Sequence, residues 1–154
     1  MKKGGRHVDG ALLRTTINEK LQTFSHKRLM KDYEEIQKEQ IPTVGVTARP
    51  LENDLFTWHA NIRGPESTLY AGGVFHLELK FPMSYPNHPP TVRLYTTLPH
   101  PNVFNNYICL DMLYQGQETR VEEGGGWSSA YSAQSVLTQL QSFLFEEFLT
   151  GNKE

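Results

Sequence analysis

Two stretches of strict alternation do most to limit what this chain can fold into. Phe56, Trp58, Ala60 and Ile62 interleave with Thr57, His59 and Asn61, and Phe75, Leu77, Leu79 and Phe81 interleave with His76, Glu78 and Lys80. Successive strand side chains point to opposite faces, so each stretch predicts a strand with one apolar and one wet face. Such strands belong to an antiparallel sheet that needs cover on one side only. Thr43 to Arg49 and Thr91 to Thr96 are shorter strand candidates. The glycine and proline turns between the four suit a meander rather than crossover units. Two helical patterns can supply the cover. Leu29, Tyr33 and Ile36 fall at i, i+4 and i+7 among charges, which predicts a helix from Ser25 to about Gln40, stopped near Pro42. Val136, Leu137, Leu140, Leu144 and Phe148 predict a second, central helix from Ser132 to Phe148. Together these elements predict an α+β fold.

A chain of 154 residues holds one domain with a real core and is too short for two ordinary ones. A net charge of −2 argues against nucleic acid as the main partner. No run approaches the roughly 20 apolar residues of a membrane helix, and the basic start Met1 to Arg6 leads into no apolar signal core. The expectation is a soluble intracellular protein, cytoplasmic and/or nuclear, with no membrane partner. Residues 1–23 carry glycine breaks at Gly4-Gly5 and Gly10. They predict a partly disordered extension with a short helix from Thr15 or Asn18, ahead of a core domain over 24–154.

Cys109 is the only cysteine. It can form neither an internal disulfide nor a multi-thiolate metal site, which leaves a small buried residue or a nucleophile. No basic side chain adjoins it. The nearest histidine is His100, and a thiol protease would pair the cysteine with an imidazole brought in by the fold. The run from His100 through Pro101, Asn102, Val103, Phe104, Asn105, Asn106, Tyr107 and Ile108 to Cys109, Leu110 and Asp111 places an amide seven positions before the thiol and a carboxylate two after it. An amide N–H₂ can stabilise charge that builds on a carbonyl oxygen under attack. Alternatively, an asparagine after proline only shapes its own loop. Asp111 can orient or desolvate an incoming amine, or serve as an exposed acid on a loop.

The His-Pro-Asn tripeptide, the Ile-Cys-Leu-Asp run and Trp127-Ser128 ahead of an apolar helix resemble the catalytic core of ubiquitin-conjugating enzymes. Phe56-Thr57-Trp58, Gly64-Pro65, Tyr70, Gly72 to Phe75, Phe81-Pro82 and Tyr85 to Pro90 fall in that family's order, so the resemblance runs from about Ser25 to about Phe148. It implies the family's fold: an N-terminal helix, a four-stranded antiparallel meander, an active-site loop and a central helix. It also implies a function, in which Cys109 carries ubiquitin or a ubiquitin-like protein as a thioester and passes it to a lysine amine. Asn102 and Asp111 would assist that transfer, while His100 and Pro101 would hold the loop. The implied partners are the modifier, an activating enzyme and a RING-type or other ligase. Lys27, Arg28, Asn87, His88, Ser129 and Ala130 are candidates for the ligase contact, although Lys27, Arg28 and Lys31 read by themselves as a solvated helix face. Neither a metal nor an organic cofactor is implied, since ATP is consumed by the activating enzyme. A non-catalytic ubiquitin-binding adaptor of the same fold is the alternative.

The chain departs from the family pattern in four places. The spacing from Asn102 to Cys109 is one residue short, and the usual glycine before the Ile-Cys pair is missing. Asn105 or Asn106 can replace it, because asparagine tolerates left-handed backbone. An insertion bearing Glu118, Arg120, Glu122 and Glu123 separates Cys109 from Trp127 and ends in Gly124-Gly125-Gly126. Its composition predicts a mobile polar loop from Tyr114 to Gly126. Asn87 and Ser129 stand where relatives often carry an apolar residue and a proline, which implies retuned ligase binding. The sequence ends at Glu154, soon after the central helix, where relatives continue through two more helices. The apolar content of that helix, including Phe143 and Phe145 on other faces, predicts self-association, with a homodimer as one outcome.

Overall fold

The structure is a computed structural model that describes residues 10–38, 45–115 and 126–145. Helix α1 (Gly10–Lys38) leads into strands β1 (Val46–Leu51), β2 (Asp54–Arg63), β3 (Val74–Lys80) and β4 (Thr91–Leu94). A short hairpin follows, β5 (Val103–Phe104) and β6 (Tyr107–Ile108), then a 3-10 turn (Asp111–Leu113) and helix α2 (Ala133–Phe145). The described strands form one antiparallel sheet in the order β1-β2-β3-β4-β6-β5. The expected four-stranded meander is present, and β6-β5 extends it to six strands. Two-residue strands are too short to show a period, so alternation could not reveal them.

The register carries out the alternation. Trp58 lies opposite Leu79, Ala60 opposite Leu77 and Ile62 opposite Phe75, while Val92 and Leu94 of β4 extend the rows at Leu79 and Leu77. All are buried, and Leu29 and Ile36 of α1 with Val136, Leu137, Leu140 and Leu144 of α2 complete the core. Fully burying a side chain of this size stabilises by about 1.5–3 kcal/mol. Trp58 also has its indole N–H satisfied, donating to Leu55 O at 2.7 Å. Pro50 cannot donate to a ladder, and it sits in the edge strand β1.

Two expectations about the helices change. Helix α1 starts at Gly10, not near Ser25, and passes through the expected boundary at residue 23 as one continuous helix. Ser25 is where burial begins: residues 14–24 are all exposed, whereas Ser25, Leu29, Asp32 and Ile36 are buried. No proline interrupts the stretch after Gly10, so the helix extends outward past the surface it packs on. Helix α2 does not leave the expected apolar excess. Phe145 packs against Tyr70 and Phe75 with ring centroids 5.7 and 5.3 Å away, and Phe143 lies half-buried against His100. Thr138, Gln139 and Ser142 form its exposed face among the described residues. Phe148 and most of the inserted loop (116–125) fall outside the described residues, as do residues 1–9. No described helix is long and apolar enough to cross a membrane.

Candidate active site

The loop from Leu98 to Leu113 is built around a tight hairpin. Phe104 pairs with Tyr107 and Val103 with Ile108, leaving a two-residue turn of Asn105 and Asn106. Their φ angles are 49° and 67°, the left-handed pair that a type I′ hairpin turn requires and that asparagine supplies at low cost. This accounts for the missing glycine and for the short spacing together. In a two-residue hairpin, the pair after Val103–Ile108 is Asn102 and Cys109, and the Cys109 N–H donates to Asn102 O at 2.8 Å. The two-residue turn places the amide residue directly across from the cysteine.

His100 holds the base of this hairpin. Its Nδ1 accepts the Asn102 N–H at 3.1 Å, and its carbonyl accepts the Val103 N–H at 3.1 Å. The ring is buried against Phe143, with centroids 5.2 Å apart. An imidazole that uses Nδ1 as acceptor carries its proton on Nε2, and that nitrogen is buried without a partner among the described residues. Among the described residues no imidazole bonds to the Cys109 sulfur. The Cys109 side chain is exposed, between buried Ile108 and Leu110. The bland alternative of a buried small residue therefore fails. The Asn102 side chain is half-buried, and its amide has no partner among the described residues. Asp111 is exposed at the start of the 3-10 turn, where its carbonyl accepts the Tyr114 N–H at 3.0 Å. The structure thus brings thiol, amide and carboxylate onto one small hairpin and its exit. Pro101 is exposed at the hairpin's base.

The expected ligase-contact residues also converge, through a polar cluster that sequence reasoning missed. Asp32 of α1 is buried. Its Oδ1 accepts from Arg28 Nε at 2.9 Å, and its Oδ2 accepts the Ala133 N–H at 2.9 Å and the Tyr85 hydroxyl. Asp32 thereby satisfies a free amide at the start of α2 from another helix and puts negative charge at that helix's positive end. Ser25 Oγ donates to the Met83 and Tyr85 carbonyls, and Trp127 Nε1 donates to Pro86 O at 2.6 Å. Arg28 is not free for a partner in the way its position on the helix implied. Its guanidinium donates to Ser129 O at 3.1 Å and Tyr131 O at 2.8 Å. Burial opposes its charge, but the hydrogen bond and negative charge of Asp32 outweigh this and hold its pKa above the usual value. Burial, then the Asp32 hydrogen bond and charge, raise the Tyr85 phenol well above the ordinary tyrosine range. Lys27, Asn87, His88, Ser129 and Ala130 remain exposed around this cluster.

Comparison with known proteins covers most of the chain. The family described as ubiquitin-conjugating enzyme matches residues 28–150. Ubiquitin-conjugating enzyme E2 1 of Caenorhabditis elegans is 39% identical over 125 residues, which are 80% of this chain and 59% of that protein. Ubiquitin-conjugating enzyme E2 3 of Arabidopsis thaliana is 42% identical over 123 residues, 79% of this chain and 74% of that one. The chain therefore spans about three-fifths and three-quarters of these two relatives. The structure of human ubiquitin-conjugating enzyme E2 G1 is similar with a TM-score of 0.65 and 34% identity, over 75% of this chain and 90% of that chain.

Proposed function

The chain belongs to the ubiquitin-conjugating enzyme family, and from that premise we propose that it carries ubiquitin or a ubiquitin-like protein as a thioester on Cys109 and transfers it to a lysine amine. The carrying observation is the exposed lone thiol held opposite Asn102 by the Cys109 N–H to Asn102 O bond. In charging, the Cys109 thiolate attacks the thioester carbonyl on the activating enzyme, a new C–S bond forms, and the activating enzyme's thiolate leaves. In discharge, the lysine nitrogen attacks the same carbonyl, the C–N bond forms, the C–S bond breaks and Cys109 departs as thiolate. The amine proton passes to solvent or to the exposed Asp111 carboxylate. In this reading the Asn102 amide, which has no partner among the described residues, donates to the oxygen that becomes negative in between. His100 and Pro101 set the hairpin and take no proton.

Lys27, Asn87, His88, Ser129 and Ala130 form the ligase-facing surface in this reading, with Arg28 fixing its shape from below. The activating enzyme consumes the ATP, so this chain's transfer calls for no metal or organic cofactor, and the reaction belongs in the cytoplasm and/or nucleus. The test is incubation with activating enzyme, ATP and a panel of modifiers, read on non-reducing gels. A reductant-sensitive adduct is expected, becoming a reductant-resistant ester or nothing in Cys109→Ser and nothing in Cys109→Ala. If the protein binds ubiquitin yet never forms an adduct, it is an adaptor of the same fold.

A further inference from the structure

On the outer face of the sheet, away from both helices, His59 and His76 meet across β2 and β3. His59 Nδ1 and His76 Nε2 are 2.7 Å apart. The remote nitrogen of each ring faces an oxygen: His76 Nδ1 lies 3.0 Å from Asn61 Oδ1, and His59 Nε2 lies 3.7 Å from Glu78 Oε2. Two imidazoles that face each other, the His76 ring with its outer nitrogen at hydrogen-bond distance from an oxygen and the His59 ring with a carboxylate nearby, share part of the layout of histidine ligands in metal sites, where an outer hydrogen bond fixes the tautomer and raises ligand basicity. We propose that His59 and His76 chelate a divalent transition-metal ion through these facing nitrogens, with water completing the coordination.

The geometry selects the ion. Metal–imidazole bonds of about 2.0–2.1 Å at a right angle put the two nitrogens about 2.9 Å apart, close to the present gap, whereas a tetrahedral angle requires about 3.3 Å. Nickel(II) and copper(II), which take imidazole ligands at right angles, need the smaller change in this gap. In the metal-free pair the Asn61 oxygen keeps the His76 proton on Nδ1, so His76 Nε2 accepts from His59 Nδ1. Binding replaces that shared proton. His59 moves its proton to Nε2, toward Glu78, and the rings tilt so that both lone pairs converge. Glu78 also accepts from the Tyr95 hydroxyl at 2.9 Å and lies 3.8 Å from Lys80 Nζ. Arg49 is the β1 residue paired with His59, and Arg93 the β4 residue paired with Glu78. No cluster of three potential ligands occurs among the described residues, so the site is a two-histidine chelate.

The experiment is calorimetric titration of the full chain with nickel(II) in a Cys109→Ser background, which removes the competing thiol. One ion per chain is expected, with His59→Gln and His76→Gln each weakening it about 10-fold or more and His88→Gln leaving it unchanged. Asn61→Asp should tighten binding by strengthening the oxygen behind His76. Lowering the pH from about 7.5 to about 5.5, where ordinary imidazoles are protonated, should release the ion. Unfolding scans check that the variants remain folded. No heat at millimolar nickel, or binding indifferent to both histidine variants, overturns the proposal.

Discussion

Asn102 has a main-chain task and a proposed side-chain task, and a single substitution separates them. Its carbonyl receives the Cys109 N–H, a bond that survives in Asn102→Ala, while the amide is lost. The variant should still accept ubiquitin but discharge it to free lysine about 10²-fold more slowly, a barrier about 2.7 kcal/mol higher. Parallel losses in charging and in melting temperature would refute the oxyanion role. Asp32 is the other residue whose removal is diagnostic. Asp32→Ala strands the Tyr85 hydroxyl, the Arg28 guanidinium and the Ala133 N–H at once, so unfolding in denaturant should show a loss of about 3 kcal/mol. The Tyr85 phenol adds a pH signature. Its pKa is raised by folding, so the native state holds this proton more tightly than the unfolded chain does. The resulting stability is fully present below the ordinary tyrosine value of about 10 and is lost as pH rises beyond it. Stability measured against pH should fall on the alkaline side, and less steeply in Tyr85→Phe. Cys109, Asn102 and His100 were legible in the sequence because their chemistry is local to one run. Asp32 was not: it sits among Lys31, Glu34 and Glu35 like any solvated acid, and two of its three partners lie 53 and 101 positions away.

Helix α1 shows how one element can be half legible. Its packed part was readable because Leu29, Tyr33 and Ile36 repeat at the period of a buried face. The exposed part carries Ile17, Leu21 and Phe24 at that same i, i+4 and i+7 spacing, a helical signal that the glycine breaks at Gly4-Gly5 and Gly10 outweighed in the expectation of a partly disordered extension. The two halves should respond differently to truncation. Leu29→Ala should cost about 2–5 kcal/mol, as buried leucines do, whereas Leu21→Ala, 40% exposed, should stay within about 0.5 kcal/mol in the same denaturation assay. Equal costs would mean that the outer half of α1 packs on something in solution. Strands β2 and β3 were readable for the same reason as the inner half of α1, since each has a core to face. The β5–β6 hairpin was not, because its signal is the backbone twist of two asparagines and not a pattern of hydrophobicity.

Across the molecule, the insertion and the docking face share a root. The Trp127 N–H donates to Tyr114 O at 3.0 Å, and Gln115 Nε2 reaches Asn87 O at 3.4 Å, so the two ends of the insertion are already closed against each other. Because lengthening a closed loop costs only about 0.6 kcal/mol per doubling, shortening Gln115 to Gly125 to a brief glycine link should leave the melting temperature nearly unchanged. It should still alter discharge or chain formation, because the loop leaves the sheet beside the thiol's own exit turn. Unchanged rates in a discharge assay would reduce the insertion to a tolerated surface feature. The Asp32 cluster has a further consequence for association. It ties α1, the proline-rich loop and the start of α2 into one plate before any partner arrives. In the proposed reading, a ligase landing on Lys27, Asn87, His88, Ser129 and Ala130 meets a surface whose ordering entropy was lost on folding, and loosening the plate from beneath should weaken that complex without touching a single proposed contact residue.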